Sequence, residues 1–220
     1  MTTTDSERIA TSLTVVTWNV WWRYGPWQER YRAILETLRG VNANVIALQE
    51  VWGVDDRDFA AQLANDLGYY SAFESRKSNE GVWFGNGVVS RWPIVATQTC
   101  PLPGVAGRDE LRLVISAEIA GPRGNIRLYS THLSWQAHDG AIRQQQVRTL
   151  ANFTDQVGAA DFVAIVCGDF NATADSEEIK MLSSGIESTS GTTLFRDAWR
   201  DCGRGDGHTW DSDSLRGCGR

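Results

Sequence analysis

The chain has 220 residues, 42% of them hydrophobic, with 21 Lys and Arg against 27 Asp and Glu for a formal charge of −6. That apolar content can bury a sizeable core and excludes a mainly disordered chain. The acidic balance, with a pI of about 5.1, argues against holding nucleic acid mainly by phosphate neutralisation. It leaves open a polyanionic substrate met through a bound cation.

Residues 1–12 read as a polar leader without the apolar stretch of a signal peptide. The alternation from Leu13 to Asn19 then predicts a strand. Trp27, Tyr31, Ile34, Leu35 and Leu38 fall on one helical face, with Pro26 at the first helical position and Gly40 just beyond the end. Val45–Leu48 is a short buried strand running into Gln49 and Glu50, which completes a β-α-β unit over 13–50. A second helix is predicted over 58–67, with Gly68 as its C-cap. Strand-like pieces follow at 69–73, 87–90, 95–99, 111–119 and 126–131, separated by Gly, Pro and Asn, and with no helix between them they predict antiparallel pairing. A third helix is expected over 141–157, a fully apolar strand over 162–166 and a short helix near 176–182. The sum is α+β: a four-layer α/β/β/α sandwich of two packed mixed sheets with helices outside, in a single domain over 13–220.

The cysteines Cys100, Cys167, Cys202 and Cys218 form no CxxC pair, so reduced thiols are expected rather than a zinc ribbon or disulfide framework. No run approaches the roughly 18 apolar residues of a membrane span. The expectation is a soluble, cytoplasmic protein.

Several apolar strands end on a polar residue: Asn19, Glu50, His132, and the pair Asp169 and Asn171. A carboxylate, a carboxamide and an imidazole converging on one rim suit phosphate-ester cleavage. Each residue alone reads more readily as a turn former or solvated strand end, but their joint order and spacing are much harder to obtain by chance.

The pieces Thr17-Trp18-Asn19, Leu48-Gln49-Glu50, Gly85-Asn86-Gly87 through Ser90-Arg91-Trp92-Pro93, Ser130-Thr131-His132-Leu133 and Gly168-Asp169-Phe170-Asn171 resemble the motifs of the endonuclease/exonuclease/phosphatase superfamily. The resemblance covers 13–210. It implies Mg²⁺, with Mn²⁺ as an alternative, held by Glu50 with Asn19 beside it. It implies that Asp169 orients the attacking water and that Asn171 holds a phosphate oxygen. His132 would bond the scissile phosphate and, if protonated, assist the leaving group. Apurinic-site endonucleases carry Tyr at that position, so His132 tilts the likeness toward deoxyribonucleases, sphingomyelinases and phosphatases. Asn86 and Arg91 would support or touch substrate from a neighbouring strand, and Arg143 and Gln146 would organise hydrogen bonds behind the site. Of the ten tryptophans, Trp18, Trp83 and Trp92 read as packing, whereas Trp21, Trp22 and Trp135 follow site motifs and could line the substrate mouth.

Superfamily members close with a final strand pair and a Ser-Asp-His motif. After Asp211 the chain offers only Ser212-Asp213-Ser214, without a following histidine, so the closing strands are expected to be missing and the chain to be a truncated form. The expected function is metal-assisted hydrolysis of a phosphate ester, most readily a phosphodiester of a nucleic acid, nucleotide or phospholipid. The alternative is an inactive member of the fold that binds a phosphorylated ligand or a protein partner.

Overall fold

The computed structural model describes residues 12–77, 81–108, 110–158 and 160–210. Most of the polar leader, Cys218 and the Ser212-Asp213-Ser214 stretch lie outside the described residues.

Two mixed sheets carry the architecture. In the first, β1 (Val15–Asn19), β2 (Val45–Val54), β5 (Trp83–Ser90) and β4 (Tyr70–Lys77) lie in the order β1-β2-β5-β4, with the two-residue β3 (Arg57–Asp58) folded back on β2. In the second, β6 (Ile94–Pro101), β7 (Leu113–Gly121), β8 (Gly124–His132) and β9 (Ile165–Asp169) lie in chain order. The pairs β1–β2 and β8–β9 are parallel; the other ladders are antiparallel.

Strand residues alternate between two faces, and here both faces are buried. On β2, Ile46 and Leu48 meet Ile34 and Leu38 of α1 (Trp27–Val41) and Phe59 and Leu63 of α2 (Phe59–Leu67). Their neighbours Val45 and Ala47 point the other way, against Ile115, Ala117 and Leu128 of the second sheet. Val114 and Tyr129 in turn face Val147, Leu150 and Phe153 of α3 (Gly140–Val157), beside α4 (Glu177–Ser184). Three apolar layers therefore separate four layers of structure, the expected sandwich. A small hairpin of β10 (Ile186–Ser188) and β11 (Gly191–Thr193) and the short α5 (Ala198–Cys202) follow.

Element ends have local causes. The Asp58 carboxylate accepts the Ala61 N–H at 2.8 Å to start α2, and Gly68 ends it in the left-handed conformation. Helix α1 runs through Gly40 and stops at Asn42, whose φ of 55° supplies the left-handed cap. The apolar run 162–166 is only partly a strand. Asp161 takes the Asn125 N–H at 2.7 Å, pairing with β8 begins at Ile165, and Val163 is left 86% exposed.

Cys100, Cys167 and Cys202 are free thiols, and burial pushes Cys167 up to about 11. Among the described residues no helix is long and apolar enough to cross a membrane.

Strands β8 and β9 approach so closely that a Cβ on Gly168 would lie 2.4 Å from the Thr131 carbonyl oxygen. Gly168→Ala must push β9 off β8, at a cost of about 1–3 kcal/mol. Thermal denaturation should show a melting point lowered by several degrees; an unchanged one would contradict this close approach.

Candidate functional site at the open end of the sheet seam

The seam between the sheets changes character along the strands. At its base it is apolar, with Val15, Val45, Val88, Leu128 and Ile165. Two and four residues further along the same strand faces come Thr17 and Asn19, Ala47 and Gln49, Ser130 and His132, and Cys167 and Asp169. Three strands, β1, β8 and β9, thus end on polar side chains at one mouth, and β2, which runs on to Val54, passes it with Gln49 and Glu50.

Polar crosslinks hold that end together. Gln49 Nε2 donates to Ser130 Oγ at 3.1 Å, and the Ser130 hydroxyl donates to the Leu48 carbonyl at 3.0 Å. Asn86 Nδ2 donates to the Leu113 carbonyl at 3.0 Å and to that of Ser130 at 3.4 Å. Asn86, expected to support or touch substrate, is buried and ties the two sheets together.

Glu50 reaches the mouth by breaking the alternation. Pairing with β5 skips from Leu48 to Val51, and Glu50 occupies the resulting bulge at φ 54°. Leu48 and Val51, three apart, both pack toward the helices. Gln49 and Glu50 are therefore both free to serve the seam. Asn19 Nδ2 donates to Glu50 Oε1 at 2.9 Å and to Asp169 Oδ2 at 2.8 Å, while Asn19 Oδ1 accepts the Trp21 N–H at 2.9 Å. One amide thus binds a carboxylate of each sheet.

His132 lies 3.8 Å from Asp169, measured from Nε2 to Oδ2. Asn171 sits at φ 48°; its N–H donates to Asp169 Oδ1 at 3.0 Å and its Nδ2 to the Leu133 carbonyl at 3.1 Å. Asn19, Glu50, His132, Asp169 and Asn171 are gathered at this mouth, and Trp135, 62% exposed, stands on the loop beyond His132. Arg91 is not brought there. It lies past the far end of β5, about 15 Å of strand away, where its guanidinium bonds Asn42 and covers the Tyr69 ring.

The sequence pattern of the Endonuclease/Exonuclease/phosphatase family matches residues 16–218. The chain belongs to the endonuclease/exonuclease/phosphatase family. Protein angel homolog 2 of Mus musculus is 24% identical over 176 residues, covering 72% of this chain and 31% of its own length. Sphingomyelin phosphodiesterase 5 of Danio rerio is 25% identical over 158 residues, 59% of this chain and 28% of its own. The chain therefore spans about a third of the curated relatives it matches. Among solved structures, a humanized D. rerio TDP2 carrying 14 mutations superposes with a TM-score of 0.70 at 18% identity, over 93% of this chain and 78% of that one.

Within this family frame, residues that the sequence motifs do not mark complete the site. Arg112, buried and paired with Glu110 at 2.6 Å, places Nη1 2.7 Å from His132 Nδ1. A guanidinium offers only N–H donors, so Nδ1 accepts and the ring proton sits on Nε2, facing Asp169. Burial, and then the Arg112 charge, push His132 well below its ordinary value. Contact and burial both favour a neutral ring that donates through Nε2; the resemblance implied leaving-group assistance only for a protonated ring. Arg30 is the second addition: it donates to the carbonyls of Val20, Tyr24, Trp21 and Trp22 and fixes the loop after β1. Arg143 and Gln146 act where expected, behind the site, bonding the Ser134 carbonyl, N–H and hydroxyl of the His132 loop.

Burial raises Glu50 above its ordinary value, and Asp169 adds to the rise against the lowering effects of Asn19, Arg112 and Arg30. Among the described residues no group of three or more His, Cys, Asp or Glu side chains has metal-holding geometry. Two hard carboxylates beside an amide suit Mg²⁺ or Mn²⁺, which bind through one or two carboxylates plus water and phosphate, and do not suit a closed zinc site.

A raised carboxyl weakens the fold above the ordinary carboxylate range, and the penalty fades as pH falls through the raised value. Glu50→Gln keeps the Asn19 bond and removes the charge. In EDTA it should raise the melting point at pH 8, with the gain shrinking toward pH 4. A lower melting point at pH 8 would contradict the electrostatics described.

Proposed function

We propose that the chain hydrolyses a phosphodiester with the help of Mg²⁺ or Mn²⁺ at the open end of the sheet seam. The observation that carries this reading is the Asn19 amide holding Glu50 and Asp169 together, 31 and 150 residues away in sequence. A divalent ion held by Glu50, with Asn19 beside it, supplies charge that polarises the phosphoryl group and stabilises the leaving oxygen when bound.

The remaining roles follow from hydrogen-bond inventory. Asp169 has Oδ1 fixed by the Asn171 N–H and Oδ2 by Asn19, so its carboxylate is held still to orient the attacking water and take its proton. His132, locked by Arg112, presents Nε2–H to a phosphate oxygen. Asn171 Nδ2 carries a second hydrogen that suits another. Both are neutral donors placed before charge develops on phosphorus, the condition under which such groups stabilise a transition state without reorganising. The diester class is supported by the name of the sphingomyelin phosphodiesterase relative. Phosphorylated substrates in general are supported by the family.

The test is cleavage of plasmid DNA, a phospholipid and bis(p-nitrophenyl) phosphate in Mg²⁺ or in EDTA. At least one should be cut in Mg²⁺ alone, and Asp169→Asn should lower kcat by about 10²–10⁴-fold with the melting point kept. No cleavage of any of them, or cleavage indifferent to Asp169→Asn, would overturn the proposal and favour a binding member of the fold.

A further inference from the structure

The loop after β1, residues 20–25, is built at a cost. Trp21 and Trp22 both adopt left-handed backbone, at φ 60° and 42°, an arrangement that costs roughly 1–2 kcal/mol per residue for side chains of this size. Four hydrogen bonds from Arg30 to the loop's carbonyls hold it. Two more tie it to the site itself: the Trp21 N–H to Asn19 Oδ1 at 2.9 Å, and the Trp22 N–H to the Glu50 carbonyl at 3.1 Å. The result is a rigid pair of rings on the rim, Trp21 and Tyr24, 39% and 51% exposed with centroids 5.9 Å apart. Trp22 is turned inward, its indole N–H donating to the Trp83 carbonyl at 3.3 Å.

Two kinds of ligand use rim aromatics beside a phosphoester site: a bilayer surface and a planar base. A surface helped by anionic lipid needs spare cations around the rings. Here Arg23 of the loop and Arg30 of α1 are both engaged with the protein. Arg30 covers the Trp21 ring at 5.1 Å, and Arg23 lies over Trp27 and Trp52 at 5.0 and 5.3 Å. The chain is also net acidic. A ring backed on one side by a guanidinium, two residues beyond the carboxylate-bridging Asn19, suits stacking of a planar base beside the site.

We propose that Trp21, supported by Arg30 and flanked by Tyr24, is a base-stacking subsite that selects nucleotide substrates, an inference resting on the phosphoesterase reading above. The subsite is sequence-tolerant, because every base offers a π-face, and it acts on binding rather than on the bond-breaking step.

The experiment compares adenosine 5′-monophosphate with ribose 5-phosphate by calorimetry, in Mg²⁺ and in EDTA. The wild-type chain should bind the nucleotide at least about ten-fold more tightly, equivalent to about 1.4 kcal/mol. Trp21→Ala should reduce the preference below about three-fold, and Trp21→Phe should keep most of it, with circular dichroism confirming that both variants fold. Should Trp21→Ala fail to fold, Tyr24→Ala should still weaken the preference. Equal binding of the two ligands by the wild-type chain overturns the subsite even if diesters are hydrolysed. A preference for the nucleotide without hydrolysis of any diester leaves the subsite standing and overturns the phosphoesterase reading. Trp21-dependent sedimentation with sphingomyelin vesicles and no nucleotide preference overturns the subsite in favour of a lipid surface.

Discussion

The side-chain amide of Asn19 is the joint on which the site depends. It lies at the end of β1 and gives one hydrogen to a carboxylate of its own sheet and one to a carboxylate of the other. Without it, Glu50 and Asp169 would face each other across the seam with only their mutual repulsion and the cost of burial. With it, both acidic groups are tied to one amide while Asn171 and the Arg112–His132 pair lie on the Asp169 side. The sandwich explains why this is possible: β1 ends beside the β2 bulge in one sheet and β8 and β9 end together in the other, so segments from distant parts of the chain open on one mouth.

Backbone strain is concentrated at the proposed site. Among the described residues six non-glycine positions have positive φ, and four of them, Trp21, Trp22, Glu50 and Asn171, border the mouth. The other two, Asn42 and Asp55, serve a helix end and a turn. Such conformations persist only where the surroundings over-determine them. The Arg30 bonds do this for the Trp loop, the β2–β5 ladder on either side of the bulge for Glu50, and the bonds to Asp169 and Leu133 for Asn171.

Much of this was legible in the chain itself. Alternating β-branched strands and a helical stripe of Tyr31, Ile34 and Leu38 predict the layers, and the motifs around Asn19, Glu50, His132 and Asn171 carry the resemblance to the family. What was hidden has physical reasons. Gln49 and Glu50 look like an ordinary alternating strand end, because a bulge leaves no compositional mark when the bulged residue is not glycine. Arg112, just before β7, belongs to none of the motifs; only tertiary contact with Glu110 and His132 reveals its part. Phe162 and Val163 are apolar enough for a strand, yet Asp161 diverts the chain before pairing can begin. Asn86 and Arg91 share one motif, but Asn86 sits mid-strand in β5 and Arg91 just past its end, a separation that sequence proximity conceals.

The central claim is that Glu50 and Asp169 meet at one mouth across the sheet seam, Glu50 to hold a cation and Asp169 to orient the attacking water. Anomalous diffraction from crystals of the chain soaked in Mn²⁺ tests it most directly. The account predicts a peak against the Glu50 carboxylate at the mouth shared with Asp169, lost in Glu50→Gln. A Mn²⁺ peak elsewhere with none at this mouth, or a map with the two carboxylates on opposite flanks of the molecule, would contradict it.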